Sequence, residues 1–260
     1  MTARTFRQRL LGGGAPLVSS FIKTGHYQPV EVAGVAGLDA VVIDAEHAAF
    51  SVSDLDACLM ACRAAGVAGL VRVPDTRPAT LLQVLDMGAE GVLMPHVRSA
   101  RDAAEIVACT RYATGVRGFS NSARAGAYGG VPMREHIVRQ DESVSVICQI
   151  EDADALEQLD AIAAVDGVDC LFVGRADLAV SLRAFDLDHP SVAAGTRAAL
   201  AAATRAGKAG GLFLGDGRDV PAWLAAGASL FVIGSDQSML RAGWRQTVDG
   251  VRTAHSEEIR

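Results

Sequence analysis

Apolar and polar positions along the chain alternate between short, continuous apolar runs and longer segments of helical period. A short apolar run bounded by turn residues suits a strand covered on both faces, and helical segments between such runs are the crossovers that parallel strands need. The runs are Pro16 to Ile22, Ala40 to Ile43, Gly69 to Val73, Gly91 to Met94, Val144 to Ile150, Asp169 to Val173, Ala209 to Leu214 and Leu230 to Ile233. The spacing predicts helices around Pro29 to Ala36, from Ser53 (as N-cap) to near Gly66, Pro78 to Met87 closed by Gly88, and Ala100 to Val107. Further helices are predicted over Ala153 to Ala164, Pro190 to Ala206 and Pro221 to Ala226, with a helical tail from Gln237. Eight strands alternating with helices predict an α/β fold, a (β/α)8 TIM barrel forming one domain over residues 1–260. An open doubly wound sheet is the alternative, because periodicity does not show closure.

The pattern breaks over Thr114-Gly-Val-Arg-Gly-Phe-Ser-Asn-Ser-Ala-Arg-Ala-Gly-Ala-Tyr-Gly-Gly130, a polar, Gly-rich passage. Long loops inside a compact domain tend to be functional or mobile. The expectation is that Arg117 or Arg124 helps to cover an anionic ligand; a flexible surface excursion is the other reading.

Composition narrows the function classes. Half of the 260 residues are hydrophobic, enough for a large core, and the formal charge of -6 with a pI near 5.5 argues against a nucleic-acid surface. The cysteines Cys58, Cys62, Cys109, Cys148 and Cys170 are odd in number and scattered, which suggests reduced thiols and a cytoplasmic protein. Cys58 and Cys62 lie one helical turn apart, but no further Cys or His pair completes a zinc set. Met1 to Leu11 holds no apolar stretch of signal-peptide length, and no run approaches the roughly 18 to 20 apolar residues of a membrane span.

Ionisable residues gather where the apolar runs end. Asp39-Ala-Val-Val-Ile-Asp-Ala-Glu-His47 delivers Asp44, Glu46 and His47; the next run carries Arg72; the fifth ends in Gln149 and Glu151, and the sixth in Gly174, Arg175 and Asp177. In a parallel barrel these ends share one rim, the functional face. Glu151 and Asp177, on adjacent strands, would repel each other without a cation between them, which suits Mg²⁺ or Mn²⁺; a pairing of one carboxylate with an arginine is the structural alternative. His47 is a candidate base with Asp44 or Asp86 as its carboxylate partner, or else a satisfied rim histidine. Arg72, inside a buried run, needs anionic company, either a substrate oxyanion or a fixed ion-pair partner. Lys23, just beyond the first strand, is the nearest Schiff-base candidate, and the metal route is preferred to it. Gly12-Gly-Gly14, Gly210-Gly211, Ser19 and Ser20 lack the surroundings of a nucleotide or nucleophile motif.

The motifs Asp44-Ala-Glu-His47, Val71-Arg-Val-Pro74, Leu85-Asp-Met-Gly88, Gly115-Val-Arg-Gly118, Gln149-Ile-Glu151 and Gly174-Arg-Ala-Asp-Leu178 run in order from about Ser19 to Leu240. In that order and spacing the chain resembles the HpcH/HpaI class II aldolases, which cleave 4-hydroxy-2-oxo acids such as 4-hydroxy-2-oxoheptanedioate. The resemblance implies a lyase that releases pyruvate and an aldehyde through a metal-stabilised pyruvate enolate, with Mg²⁺, Mn²⁺, Co²⁺ or another divalent ion. By position, Glu151 and Asp177 resemble the metal ligands, and Gln149, Gly174, Ala176 and Asp177 the substrate contacts. His47 resembles the base, Asp86 the group that raises its basicity, and Arg72 the residue that stabilises the enolate. It also implies a homo-oligomer, a hexamer built from dimers whose last helix packs on a neighbour. Arg175 stands where the family has proline and is expected either to favour an acidic aldehyde or to point to solvent. The rival readings are a CoA-ester lyase or enolate-condensing synthase of the citrate-lyase type, and a non-catalytic barrel that binds oxo acids.

Overall fold

The eight apolar runs form strands β1 (Leu17–Ile22), β2 (Ala40–Asp44), β3 (Ala68–Arg72), β4 (Gly91–Met94), β5 (Ser145–Ile150), β6 (Cys170–Val173), β7 (Ala209–Leu214) and β8 (Leu230–Ser235). In this computed structural model, which describes residues 4–258, each strand pairs in parallel with the next. β8 then pairs with β1, Leu17 opposite Leu230, and this closes the barrel that the alternation predicted and excludes the open sheet. Residues 1–3 and 259–260, part of the span assigned to the single domain, lie outside the described residues.

The pleat divides each strand between two cores. Ala40 and Val42, Ala68 and Leu70, Leu93, Ile147, Cys170 and Phe172, and Leu230 and Val232 point into the barrel. Val41 and Ile43, Val71, Val92 and Met94, Val146 and Cys148, and Leu171 and Val173 face the surrounding helices. Extending the inward series by two residues reaches Asp44, Arg72 and Gln149, so the pleat that fills the barrel also aims these polar side chains across its C-terminal mouth.

The helices are α1 (Phe6–Leu11), α2 (Gln28–Val35), α3 (Val52–Ala65), α4 (Pro78–Asp86), α5 (Ala100–Thr110), α6 (Met133–Ser143), α7 (Leu159–Ala163), α8 (Arg175–Ser181), α9 (Pro190–Arg205), α10 (Val220–Ala225) and α11 (Asp236–Glu258). The N-cap of α3 is Ser51, two residues before the expected Ser53. Its hydroxyl accepts from the Asp54 N–H, and the Asp54 carboxylate accepts from the Ser51 N–H, a reciprocal capping box. Gly66 ends the helix in the left-handed region (φ 69°), where glycine carries no Cβ penalty. The segment predicted as one helix over 153–164 is a 3₁₀ turn, Ala153–Glu157, followed by α7, with Gln158 out of helical geometry between them.

Three helices have no counterpart in the sequence reading. α1 and α8 are too short to show a period, and α6 is largely polar with only His136 and Gln140 buried. α1 nevertheless matters, because Phe6 and Leu10 close the bottom of the inner core. Among the described residues no helix is long and apolar enough to cross a membrane.

Candidate active site

The register of β2 and β3 places Asp44 directly opposite Arg72. Arg72 Nε donates to Asp44 Oδ1 at 2.9 Å and Nη2 to Oδ2 at 2.7 Å, a two-pronged pair within the barrel wall. Lys23 Nζ approaches Asp44 Oδ2 at 2.9 Å, and the backbone N–H of His47 donates to Oδ1 at 3.2 Å. Burial by itself would push the Asp44 carboxyl up, but Arg72 and Lys23 outweigh it and hold the group down at about 2. Arg72 also lies 4.5 Å from the Phe21 ring centre and 3.4 Å from Glu46 Oε2. Its Nη1 has no protein acceptor among the described residues and is available to a ligand.

Across the mouth, at the end of β5, Glu151 is almost fully buried. Its Oε1 accepts the backbone N–H of His96 at 2.8 Å, and its Oε2 accepts from Gln149 Nε2. Burial raises the Glu151 carboxyl, and the charge of Asp177 raises it further, against the help of Gln149 and His96. Gly174 is required here: a Cβ on it would stand 2.7 Å from Glu151 Oε2 and 3.1 Å from Gln149 Nε2. His96 sits in the left-handed region (φ 54°), a strained position for a residue with a side chain, and so aims its N–H at Glu151. Its ring lies 3.0 Å from Asp152 Oδ2 and 3.9 Å from Glu46 Oε1.

The residues at the ends of β5 and β6 fit a hard divalent cation. All the donors are oxygens, Gln149 Oε1 is buried with no hydrogen-bond partner, and among the described residues the buried Glu151 carboxylate has no cationic side chain other than His96 to offset Asp177. No group of three or more His, Cys, Asp or Glu side chains among the described residues is arranged to hold a metal ion by itself, so two carboxylates would leave most coordination positions to water and substrate.

One cavity of about 410 Å³ collects His47, Arg72, Gln149, Gly174, Ala176 and Asp177 of the predicted set, together with Lys23 and Arg241. The His47 imidazole is half exposed, and its nearest carboxylate is Glu46, with Nε2 3.6 Å from Oε2. Asp44 touches the backbone of His47 and not its ring, so the expected Asp44–imidazole partnership is replaced by the Asp44–Arg72 pair.

Asp86 stands apart within the chain. It ends α4, and a helix that follows a strand runs back to the opposite end of the barrel, so its carboxylate takes Arg117 Nη2 at 3.0 Å instead of approaching His47. The same geometry corrects the expectation for the 114–130 passage. That passage follows α5 on the same return path, with Arg117 buried against Tyr112 and Arg124 bound to Asp56 and the Met87 carbonyl. Neither arginine covers the mouth. Arg175 lines this cavity and does not point to solvent; its guanidinium is buried 5.0 Å from the Trp223 ring and donates to the Leu187 carbonyl at 2.8 Å.

The sequence reading gave His96 and Arg241 no part, and weighed Lys23 only for a Schiff base. His96 follows Pro95 just past a strand end, the signal that singled out the other rim residues.

A family model for HpcH/HpaI aldolase/citrate lyase matches residues 19–242. The 5-keto-4-deoxy-D-glucarate aldolase of Klebsiella pneumoniae subsp. pneumoniae is 36% identical over 224 residues, 85% of this chain and 87% of that protein. Its counterpart in Salmonella paratyphi A is 38% identical over 221 residues, 84% of this chain and 86% of that protein. Among solved structures, an HpcH/HpaI aldolase/citrate lyase family protein from Burkholderia cenocepacia is 36% identical with a TM-score of 0.90, covering 95% of this chain and 98% of that one. The citrate synthase SbnG is 27% identical with a TM-score of 0.86, covering 98% of this chain and 99% of that one.

Proposed function

The chain belongs to the HpcH/HpaI aldolase/citrate lyase family, and from that membership we propose that it is a class II aldolase, cleaving a 4-hydroxy-2-oxo acid reversibly to pyruvate and an aldehyde. The observation that carries the proposal is one cavity offering oxygen donors at β5 and β6, a guanidinium fixed at β3 and an imidazole after β2. A divalent ion held by Glu151 and Asp177, Mg²⁺ in the first instance, would supply Lewis acidity toward the 2-oxo acid. Gln149 and the backbone at Gly174 and Ala176 orient the pyruvate half.

His47 takes the proton from the 4-hydroxyl, directly or through a water, and its half-exposed ring leaves room for either. As the C4–O π bond of the aldehyde forms, the C3–C4 pair moves into the C2–C3 bond and negative charge collects on the 2-oxygen. Arg72, already oriented by Asp44, needs no reorganisation to stabilise that charge through its free Nη1. Protonation at C3 then releases pyruvate. The aldolase relatives support this reading for the chemistry and leave the aldehyde to be measured.

The test is pyruvate release from a panel of 4-hydroxy-2-oxo acids, using metal-stripped protein with and without Mg²⁺ or Mn²⁺. Metal-dependent release that His47→Ala abolishes is the expected result; no release under any condition overturns the proposal. An enolate-condensing synthase is the second reading, favoured by the similarity to SbnG. It predicts carbon–carbon bond formation onto an acceptor with no cleavage of any panel member.

The active unit is proposed to be a homo-oligomer, with the family's hexamer as the expected size, in a reducing cytoplasm that suits five free cysteines. Leu240, Trp244, Val248 and Val251 recur at helical spacing along α11 and are all exposed, a stripe suited to a neighbouring subunit.

A further inference from the structure

The cavity is lined by four cationic side chains, Lys23, Arg72, Arg175 and Arg241, against the single carboxylate of Asp177. Two of the four are already held by protein groups, although Arg175 Nε is buried without a hydrogen-bond partner. Arg72 is bound by Asp44 and lies beside Glu46, and Arg175 is turned into the Trp223 and Leu187 contacts. Lys23 has one of its three donors on Asp44, at 2.9 Å, and 27% of its side chain remains exposed. Arg241 has no hydrogen-bond or ion-pair partner among the described residues.

Lys23 and Arg241 line the same cavity, and a staple ties the end of β1 to the first turn of α11. Asp236 accepts the backbone N–H of Lys23 at 2.9 Å and of Thr24 at 3.0 Å, while Gln237 Nε2 donates to the Lys23 carbonyl at 3.3 Å. In a ring of eight strands β1 lies opposite β5. A 2-oxo acid whose keto end lies at Gln149, Glu151 and Asp177 therefore extends its far end across the mouth toward Lys23 and Arg241.

We propose that Lys23 and Arg241 form a carboxylate subsite for the aldehyde half of the substrate, so that this chain selects aldehydes carrying an anionic group over neutral ones of the same size. Asp44 holds the ammonium at the cavity wall while its two remaining donors face the ligand, and Arg241 closes the subsite from α11. The inference rests on the aldolase reading for the position of the pyruvate half.

The experiment compares glyoxylate with glycolaldehyde as partners for pyruvate in the condensation direction, in the wild type, Lys23→Met, Lys23→Arg and Arg241→Met. Loss of one charge-assisted hydrogen bond should lower the glyoxylate-to-glycolaldehyde ratio of kcat/KM by about tenfold in Lys23→Met and in Arg241→Met, with Lys23→Arg retaining most of the preference. A ratio within about twofold of wild type in both Met variants overturns the subsite. Proton exchange at the pyruvate methyl group in D₂O, followed in the wild type, reports the aldolase reading separately. If exchange and condensation are both absent, that reading falls while the subsite is still judged by calorimetry with succinate. Succinate binding that weakens about tenfold in both Met variants and with added salt supports the subsite; equal binding in all variants overturns it.

Discussion

The two ends of the barrel use the same side chains to opposite effect. At the N-terminal end, Arg7 reaches from α1 to Asp169, with Nε 2.9 Å from Oδ1, and its Nη1 donates to the carbonyls of Asp141 and Glu142. Asp169 Oδ2 takes the Val146 N–H, and Arg9 binds both the carboxylate and the carbonyl of Asp39. Those donors and acceptors answer one another, although Ser145 Oγ at the start of β5 is buried without a partner, and the result is a clasp holding α1 across the inner core. At the C-terminal end Gln149 Oε1 and Glu46 Oε2 are buried without hydrogen-bond partners, Glu151 is a buried carboxylate pushed toward protonation, and His96 is strained. Satisfied polar groups stabilise a fold, whereas unsatisfied ones are held in place by the rest of it and await a ligand.

Removing Glu151 should separate the two ends most sharply. Glu151→Gln should lower pyruvate release by about 100-fold or more, with thermal stability unchanged or raised because a buried, poorly compensated charge is gone. A parallel loss of activity and melting temperature would mean that Glu151 is part of the clasping structure instead. Arg72→Lys keeps the charge but loses the two-pronged contact with Asp44, and kcat should fall by about 100-fold with a smaller change in KM.

At the other end the pattern should invert. Asp169→Ala strips a buried carboxylate from Arg7 and from the Val146 N–H, and denaturant unfolding should show a loss of about 3 kcal/mol while kcat at 25 °C stays near wild type. The pH dependence of stability sharpens the comparison further. Asp44 is depressed from an ordinary 3.8 to about 2, so its stabilisation is complete above its unfolded value and is lost as the pH falls from about 4 to about 2. The contribution is about 2 kcal/mol, and Asp44→Asn should flatten the acid limb of the unfolding curve over that window. The smallest expected effect on the fold is that of Trp244→Glu, which should reduce the mass in light scattering while leaving the circular dichroism of the barrel unchanged. An unchanged mass would dissociate α11 from assembly.

What the chain determined locally was legible without coordinates. Eight apolar runs of strand length, the glycines that end α3 and α4, and the polar residues placed one step past the runs all follow from short-range rules, and they led to the barrel, to Asp177, Arg72 and His47 on one cavity, and to Glu151 just past the end of β5. The partners of those residues were not legible. Asp86 and Arg117 lie in motifs but at the return ends of their segments, so a sequence pattern could not show which end of the barrel they occupy. The choice of Arg72 over His47 as the partner of Asp44 depends on strand register, Arg175 turned inward because Trp223 lies far along the chain to receive it, and Lys23 and Arg241 line one cavity only because β8 closes on β1. Periodicity reports which face a residue belongs to; only closure of the ring brings residues from its two ends within reach of one ligand.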